Sequence, residues 1–170
     1  IYGHPEEIAE DKFHKLPLYK EKMVIALPQG HALCRGSEVK VSELDGEPYL
    51  ERTNCEFAQF GEKVFAEKGV GGPTVYTSER DDWVLAMVAA GMGYSFLPES
   101  TARFPDVAVR PLVEPDFWRQ INVVTVRGRP HSPAVGAFVR EVMRAKWMGR
   151  PALSKRNLVD REDDAEEDVA

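Results

Sequence analysis

Between Met23 and Trp147, strand-like and helix-like segments take turns along the chain, and this alternation restricts the possible folds more than any composition figure. MVIAL (23–27) is a short apolar run of strand type, stopped by Pro28-Gln29-Gly30. VSELDG (41–46) reads as a one-turn helix capped by Ser42, with Asp45 completing a box-like pattern and Gly46 ending it. PYLE (48–51) reads as a strand and EFAQFGEKVFAEKG (56–69) as a helix. In that helix Phe57, Phe60, Val64 and Phe65 share one face, and Gly69 stands where a left-handed C′ residue is expected. TVYTS (74–78) is β-branched and aromatic, hence a strand. DDWVLAMVAAG (81–91) is a helix with acids in its first turn and Gly91 at its end. YSFLP (94–98) and INVVTV (121–126) are further strands, the latter apolar enough to have both faces covered. A last helix begins with Ser132 as cap and Pro133 in the first position, and carries Val135, Phe138, Val139, Val142 and Met143 as one stripe.

Strand–helix–strand spacing of this kind predicts an α/β layer with a parallel sheet, whose ligands bind beyond the carboxyl ends of the strands. The floor of a site then comprises Arg52, Thr53, Asn54, Cys55 and Glu56 after PYLE, and Glu79, Arg80 and Asp81 after TVYTS. The Gly91-Met92-Gly93 connection lies at the opposite end of its strand and suits packing or a hinge.

Composition removes several classes of function. A pI of 5.3 is no nucleic-acid footprint. No apolar run reaches the ~18 residues of a membrane span, so no membrane partner is expected. The chain opens IYGHPEEIAE, without a basic and apolar leader, so no export signal is expected. Cys34 and Cys55 stand 21 residues apart with no CxxC, which reads as two thiols in a reducing compartment. His4, His14, His31 and His131 have no ligand partner at metal spacing, so neither a metal nor a cofactor is expected. No G-x-S-x-G, dinucleotide fingerprint, P-loop or Ser/His/Asp set occurs, and Asp81-Asp82 read as acids of a helix start, so no catalysis is expected. The run DREDDAEED (160–168), with seven acids and no aromatic residue, reads as part of a disordered tail.

RTNCEF (52–57) invites a sharper reading. Backbone N–H groups at a helix start attract an anion or a polar ligand group. Asn54 either meets a ligand or caps the helix, and Phe57 is either an apolar wall or core. Cys55 sits where a helix dipole makes a thiol more reactive, yet no resolving partner is near.

MVIALPQGHAL, VSELDGEPYLE, MVAAGMGYSFLPES and INVVTVRGRPHSPAVGAFVREV occur in this order and at this spacing. Together they resemble the effector-binding domain of LysR-type transcriptional regulators, over about positions 16–147. The resemblance implies a fold like type II periplasmic binding proteins: α/β, with one complete lobe and part of a second. Residues 1–22 are then a remnant of lobe one, 23–126 are lobe two with its crossing strands, 127–148 hold the C-terminal helix of lobe one, and 149–170 are the acidic tail. It implies a cytoplasmic, homo-oligomeric regulator that binds a small-molecule effector and reaches DNA only through an N-terminal helix-turn-helix domain missing here. By position, the implied ligand contacts are Thr53, Asn54, Cys55, Glu56, Phe57, Ser78, Glu79 and Arg80. Some peroxide-sensing members carry a reactive cysteine where Cys55 stands, but the second cysteine that follows it in those members is absent from this chain. An extracytoplasmic solute-binding protein with the same lobes is the alternative, and a dimerisation module the plainer one.

Overall fold

MVIAL turns out to be the end of a much longer strand. The computed structural model describes residues 12–53, 55 and 57–147, without the side chains of Gln59 and Phe60. The acidic tail, the first part of the expected lobe-one remnant, Asn54 and Glu56 lie outside the described residues. Strand β1 runs from Phe13–Pro28 and changes partners midway. Its first part pairs antiparallel with β7 (Trp118–Val126), from Phe13 opposite Val126 to Lys22 opposite Trp118, with an irregularity between Pro17 and Tyr19. Its last part lies between β5 (Ser95–Pro98) and β6 (Val107–Val113), antiparallel to both. Strand β2 (Val39–Lys40) runs parallel to β6. Strands β3 (Tyr49–Arg52) and β4 (Thr74–Ser78) form a parallel pair, joined to the start of β5 by a parallel bridge between Tyr49 and Tyr94. The sheet is therefore mixed, where the sequence predicted a parallel one. Helix periods between strands announced the crossovers, but the polar first half of β1 and the whole of β6 carry no signal read from the sequence.

The alternation of side chains along β1 explains its apolar end. Met23, Ile25 and Leu27 enter one core with Phe57, Val64, Val70, Phe96 and Phe117. Val24 and Ala26 enter the other, with Leu50, Val84, Leu85, Val88 and Leu97. A strand buried on both faces reads as a continuous apolar run. Helix α1 (Ala58–Glu67) covers the first core and α2 (Asp81–Ala89) the second. INVVTV behaves differently: no residue of β7 from Ile121 to Val126 is fully buried, so the two covered faces expected there are not found.

The ends of the elements follow local rules, with two corrections. Gly69 and Gly91 adopt the left-handed conformation after α1 and α2, at φ 66° and 81°. The one-turn helix at Val41–Leu44 is tied by Glu43, whose carboxylate accepts the Lys40 N–H at 2.8 Å, and no Ser42 cap forms. Helix α1 starts at Ala58 with Phe57 as its N-cap residue, later than Glu56. A Cβ on Gly93 would collide with the Pro48 carbonyl oxygen, so the Gly91–Gly93 connection serves close packing. Helix α3 (Pro133–Arg144) has its Ser132 cap, with Oγ accepting the Val135 N–H at 3.4 Å. Its apolar stripe is only partly used: Met143 is buried, while Val135 and Phe138 are exposed, Phe138 by 62%.

Candidate functional site

Parallel strands β3 and β4 end side by side, and their exits form one surface. The Thr53 N–H donates to the Ser78 carbonyl at 3.1 Å, so the two turns named from the sequence meet. Arg52 binds across them to Asp81, the first residue of α2, with Nε to Oδ1 at 2.6 Å and Nη2 to Oδ2 at 3.4 Å. This pair is mostly buried on the arginine side, and Nη1 of Arg52 is buried with no hydrogen-bond partner among the described residues. A buried donor left unpaired costs about 1–3 kcal/mol. An acceptor brought to these turns would relieve that cost.

Thr53, Glu79 and Arg80 are exposed on this rim. The Ser78 hydroxyl accepts the Arg80 N–H at 3.1 Å, bracing the β4 exit. Arg80 pairs with Asp82 through Nη2 at 2.6 Å and Nε at 3.0 Å, and its guanidinium lies 5.1 Å from the Trp83 ring centroid. The ion pair holds the Asp82 carboxyl below the usual carboxylate range and the guanidinium above its ordinary value. Being exposed, the pair orients Arg80 more than it stabilises the fold.

The structure does not bring all the expected residues to the rim. Phe57 is buried, its ring edge-on to Phe96 and Phe117 at centroid distances of 6.2 and 6.1 Å, so it is core. Cys55 is half-buried against the same core and outside any disulfide, and it borders a half-open cleft of about 340 Å³ along α1. Asn54 and Glu56 lie outside the described residues. This cleft was not foreseen from the sequence. Among the described residues no cluster of His, Cys, Asp or Glu could hold a metal ion, and no helix is long and apolar enough to cross a membrane.

The second anchor of the molecule lies where β1 meets β7. Arg119 donates to Glu21 Oε1 through Nε at 2.6 Å and Nη2 at 2.5 Å, and the other carboxylate oxygen accepts the Ser100 N–H at 3.2 Å. This ties both long strands to the turn after β5.

A two-faced mixed sheet, helices on both faces, two long strands leading out of it and paired polar turns at parallel strand ends define an α/β domain of mixed-sheet type. The family model for the LysR substrate binding domain matches residues 1–147, and the chain belongs to that family. The curated relatives are transcriptional regulators. YwbI of Bacillus subtilis (strain 168), an uncharacterized HTH-type transcriptional regulator, is 26% identical over 81% of this chain and 47% of its own length. TtuA of Agrobacterium vitis, an HTH-type transcriptional regulator, is 30% identical over 51% of this chain and 29% of its own. The chain thus spans about half the length, or less, of the curated relatives it matches. Among solved structures, the regulatory domain of Synechocystis PCC6803 CcmR in complex with 2-PG matches with a TM-score of 0.72 at 18% identity, over 85% of this chain and 70% of that one. The effector binding domain of QuiR in complex with shikimate matches with a TM-score of 0.68 at 23% identity, over 84% and 68%. At these identities the likeness is one of fold.

Proposed function

We propose that this chain is the sensing part of a LysR-type transcriptional regulator, in which a small effector held between two lobes sets DNA binding by a helix-turn-helix domain of the same polypeptide. In this reading residues 23–126 are lobe two, 1–22 and 127–148 belong with lobe one, and 149–170 are the tail. The effector meets lobe two at Thr53, Asn54, Glu56, Ser78, Glu79 and Arg80. Cys55 and Phe57 stand behind that rim and shape it from within. The observation that carries the reading is the convergence of the β3 and β4 exits, fixed by the Thr53–Ser78 bond and the Arg52–Asp81 pair. It is supported by the regulators among the relatives and by the two neighbours whose structures hold shikimate and 2-PG. The polypeptide is cytoplasmic, works as a homo-oligomer and performs no catalysis. The alternative of an extracytoplasmic solute-binding protein is not favoured, because the curated relatives are HTH-type regulators.

The effector acts only through its differential affinity for two lobe arrangements, a coupling of typically ~1–3 kcal/mol. The test uses the regulator with both lobes intact. A thermal-shift screen of small carboxylates and amino acids first finds the effector. Thr53→Ala is expected to weaken its binding about tenfold in calorimetry, the loss of one well-placed hydrogen bond at ~1.4 kcal/mol, with the melting temperature kept. An unchanged dissociation constant sinks the rim as the binding site.

A further inference from the structure

Helix α2 keeps a tryptophan in water. Val84, Leu85 and Val88 supply its buried face, while Trp83, on the first turn, is 53% exposed. The core has no use for this ring. The Arg80 guanidinium does lie over it, 5.1 Å from the ring centroid. Tryptophan offers a cation the best of the aromatic faces.

Arg80 is thereby fixed at its backbone, along one edge and on one face. Its N–H donates to the Ser78 hydroxyl at 3.1 Å, which sets the chain at the β4 exit. Its Nε and Nη2 donate to the two carboxylate oxygens of Asp82 at 3.0 and 2.6 Å, which fills the side-on fork of the guanidinium. The end-on fork stays open, and Nη1 has no hydrogen-bond partner among the described residues. A free arginine side chain loses many rotamers on binding, and one ordered in advance loses fewer. Arg52 repeats the pattern at the β3 exit, with Nε and Nη2 on Asp81 and Nη1 left over. The rim is nevertheless not a positive surface. Asp82 and Asp81 neutralise the two arginines, Glu79 is exposed beside them, and the Glu51 carboxylate accepts from the Thr77 hydroxyl at 3.3 Å. What the rim offers is an oriented fork rather than a field. The group that meets a planar fork with two parallel hydrogen bonds is a carboxylate.

We propose that Trp83 is a positioning residue of the strand-end site, and that the group it serves is a carboxylate of the effector, received on the open fork of Arg80. This rests on the reading of the rim as the effector site. It adds the class of ligand, an organic acid, and a residue that tunes affinity through Arg80 rather than by touching the acid. Without the ring the guanidinium swings about Asp82, and its donors have to be ordered anew each time the acid binds.

The 170-residue chain serves for the test, followed by NMR at pH 7. The probe is isobutyrate, with isobutyramide as its uncharged counterpart; both are aliphatic, so neither stacks on the ring as an aromatic acid would. In the parent chain the Arg80 Nε–H is expected to relax like the backbone of α2, and in Trp83→Ala like a free arginine side chain. Isobutyrate is expected to shift that Nε–H together with the amides of Ser78 and Asp81. It should bind Trp83→Ala about threefold more weakly, in keeping with an exposed cation–π contact, and Trp83→Phe should restore part of the loss. The position is exposed, so both variants are expected to keep the melting temperature. Isobutyramide is expected to leave Arg80 unmoved at the same concentrations. An Arg80 that stays equally ordered in Trp83→Ala, or isobutyrate binding that the variant leaves unchanged, ends the positioning role. Isobutyramide binding as tightly as the acid, or an acid that moves no rim residue, overturns the carboxylate. The rim reading itself fails by a different result, an unchanged dissociation constant for Thr53→Ala in the regulator with both lobes, so the two failures are told apart.

Discussion

Glu21 shows how much one residue can hold. Its side chain is 8% exposed and its partner Arg119 is 11% exposed, so the pair sits out of water on two strands that each leave the core. Taking two charges out of water is costly, and their attraction repays it only when the remaining hydrogen bonds are made. Here the second carboxylate oxygen is satisfied by the Ser100 N–H. Removing one partner strands the other charge in a poorly solvated place. Glu21→Ala is expected to destabilise the chain by about 3–5 kcal/mol in urea unfolding, and pairing Glu21→Leu with Arg119→Met to recover most of the loss. If the single and double variants are equally unstable, the pair contributes packing rather than charge compensation.

Helix α1 was read as 56–69 and is found at Ala58–Glu67, so its period and its closing glycine were legible in the sequence. Val64 is buried in the core and Phe65 packs against it, while Ala58 and Gly61 are half-buried. Gly61 lies inside the helix with open space beside it. Gly61→Ala is therefore expected to stabilise the chain by about 0.5–1 kcal/mol in thermal or denaturant unfolding, since alanine loses less backbone entropy and meets no obstacle. A loss of stability would mean that the space is needed by the helix as it packs. Elements with a local signature were legible in the sequence: TVYTS matches β4 residue for residue, Ser132 caps α3, and Asp81 and Asp82 open α2. The two halves of the rim were legible for the same reason, because they follow strands that could be read. What depends on distant partners was not. The polar first half of β1, with Pro17 inside it, reads as loop until β7 is laid against it. Strand β6 is interrupted by Pro111 and takes its place only between β1 and β2. Phe57 belongs to the core because Phe96 and Phe117, 39 and 60 residues further on, come to meet it.

At the scale of the molecule, β1 is a single strand doing two jobs, and the energetics of the two halves should differ. From Met23 to Leu27 every residue is at most 2% exposed and the strand has neighbours on both edges. Opening those amides to solvent requires parting β5 or β6 and emptying both cores, which amounts to unfolding the lobe. From Phe13 to Leu16 the strand pairs with β7 alone among the described residues, and the residues of this stretch are partly exposed. Such a ribbon can separate while the lobe stays folded, because local opening costs only what it exposes. The Glu21–Arg119 pair marks the place where the two regimes join. Native-state hydrogen exchange of the 170-residue chain is expected to divide β1 accordingly. Amides of Val24–Leu27 that are bonded to β5 and β6 should exchange only through global unfolding and follow the denaturant dependence of that event. Bonded amides within Phe13–Leu16 and their partners Val123–Val126 should exchange through a smaller opening with little denaturant dependence. Glu21→Ala should widen the second opening towards Trp118. Equal protection along the whole strand would mean that ribbon and lobe unfold as one unit, and a strand of that kind could transmit lobe motion as a rigid rod but could not act as a hinge.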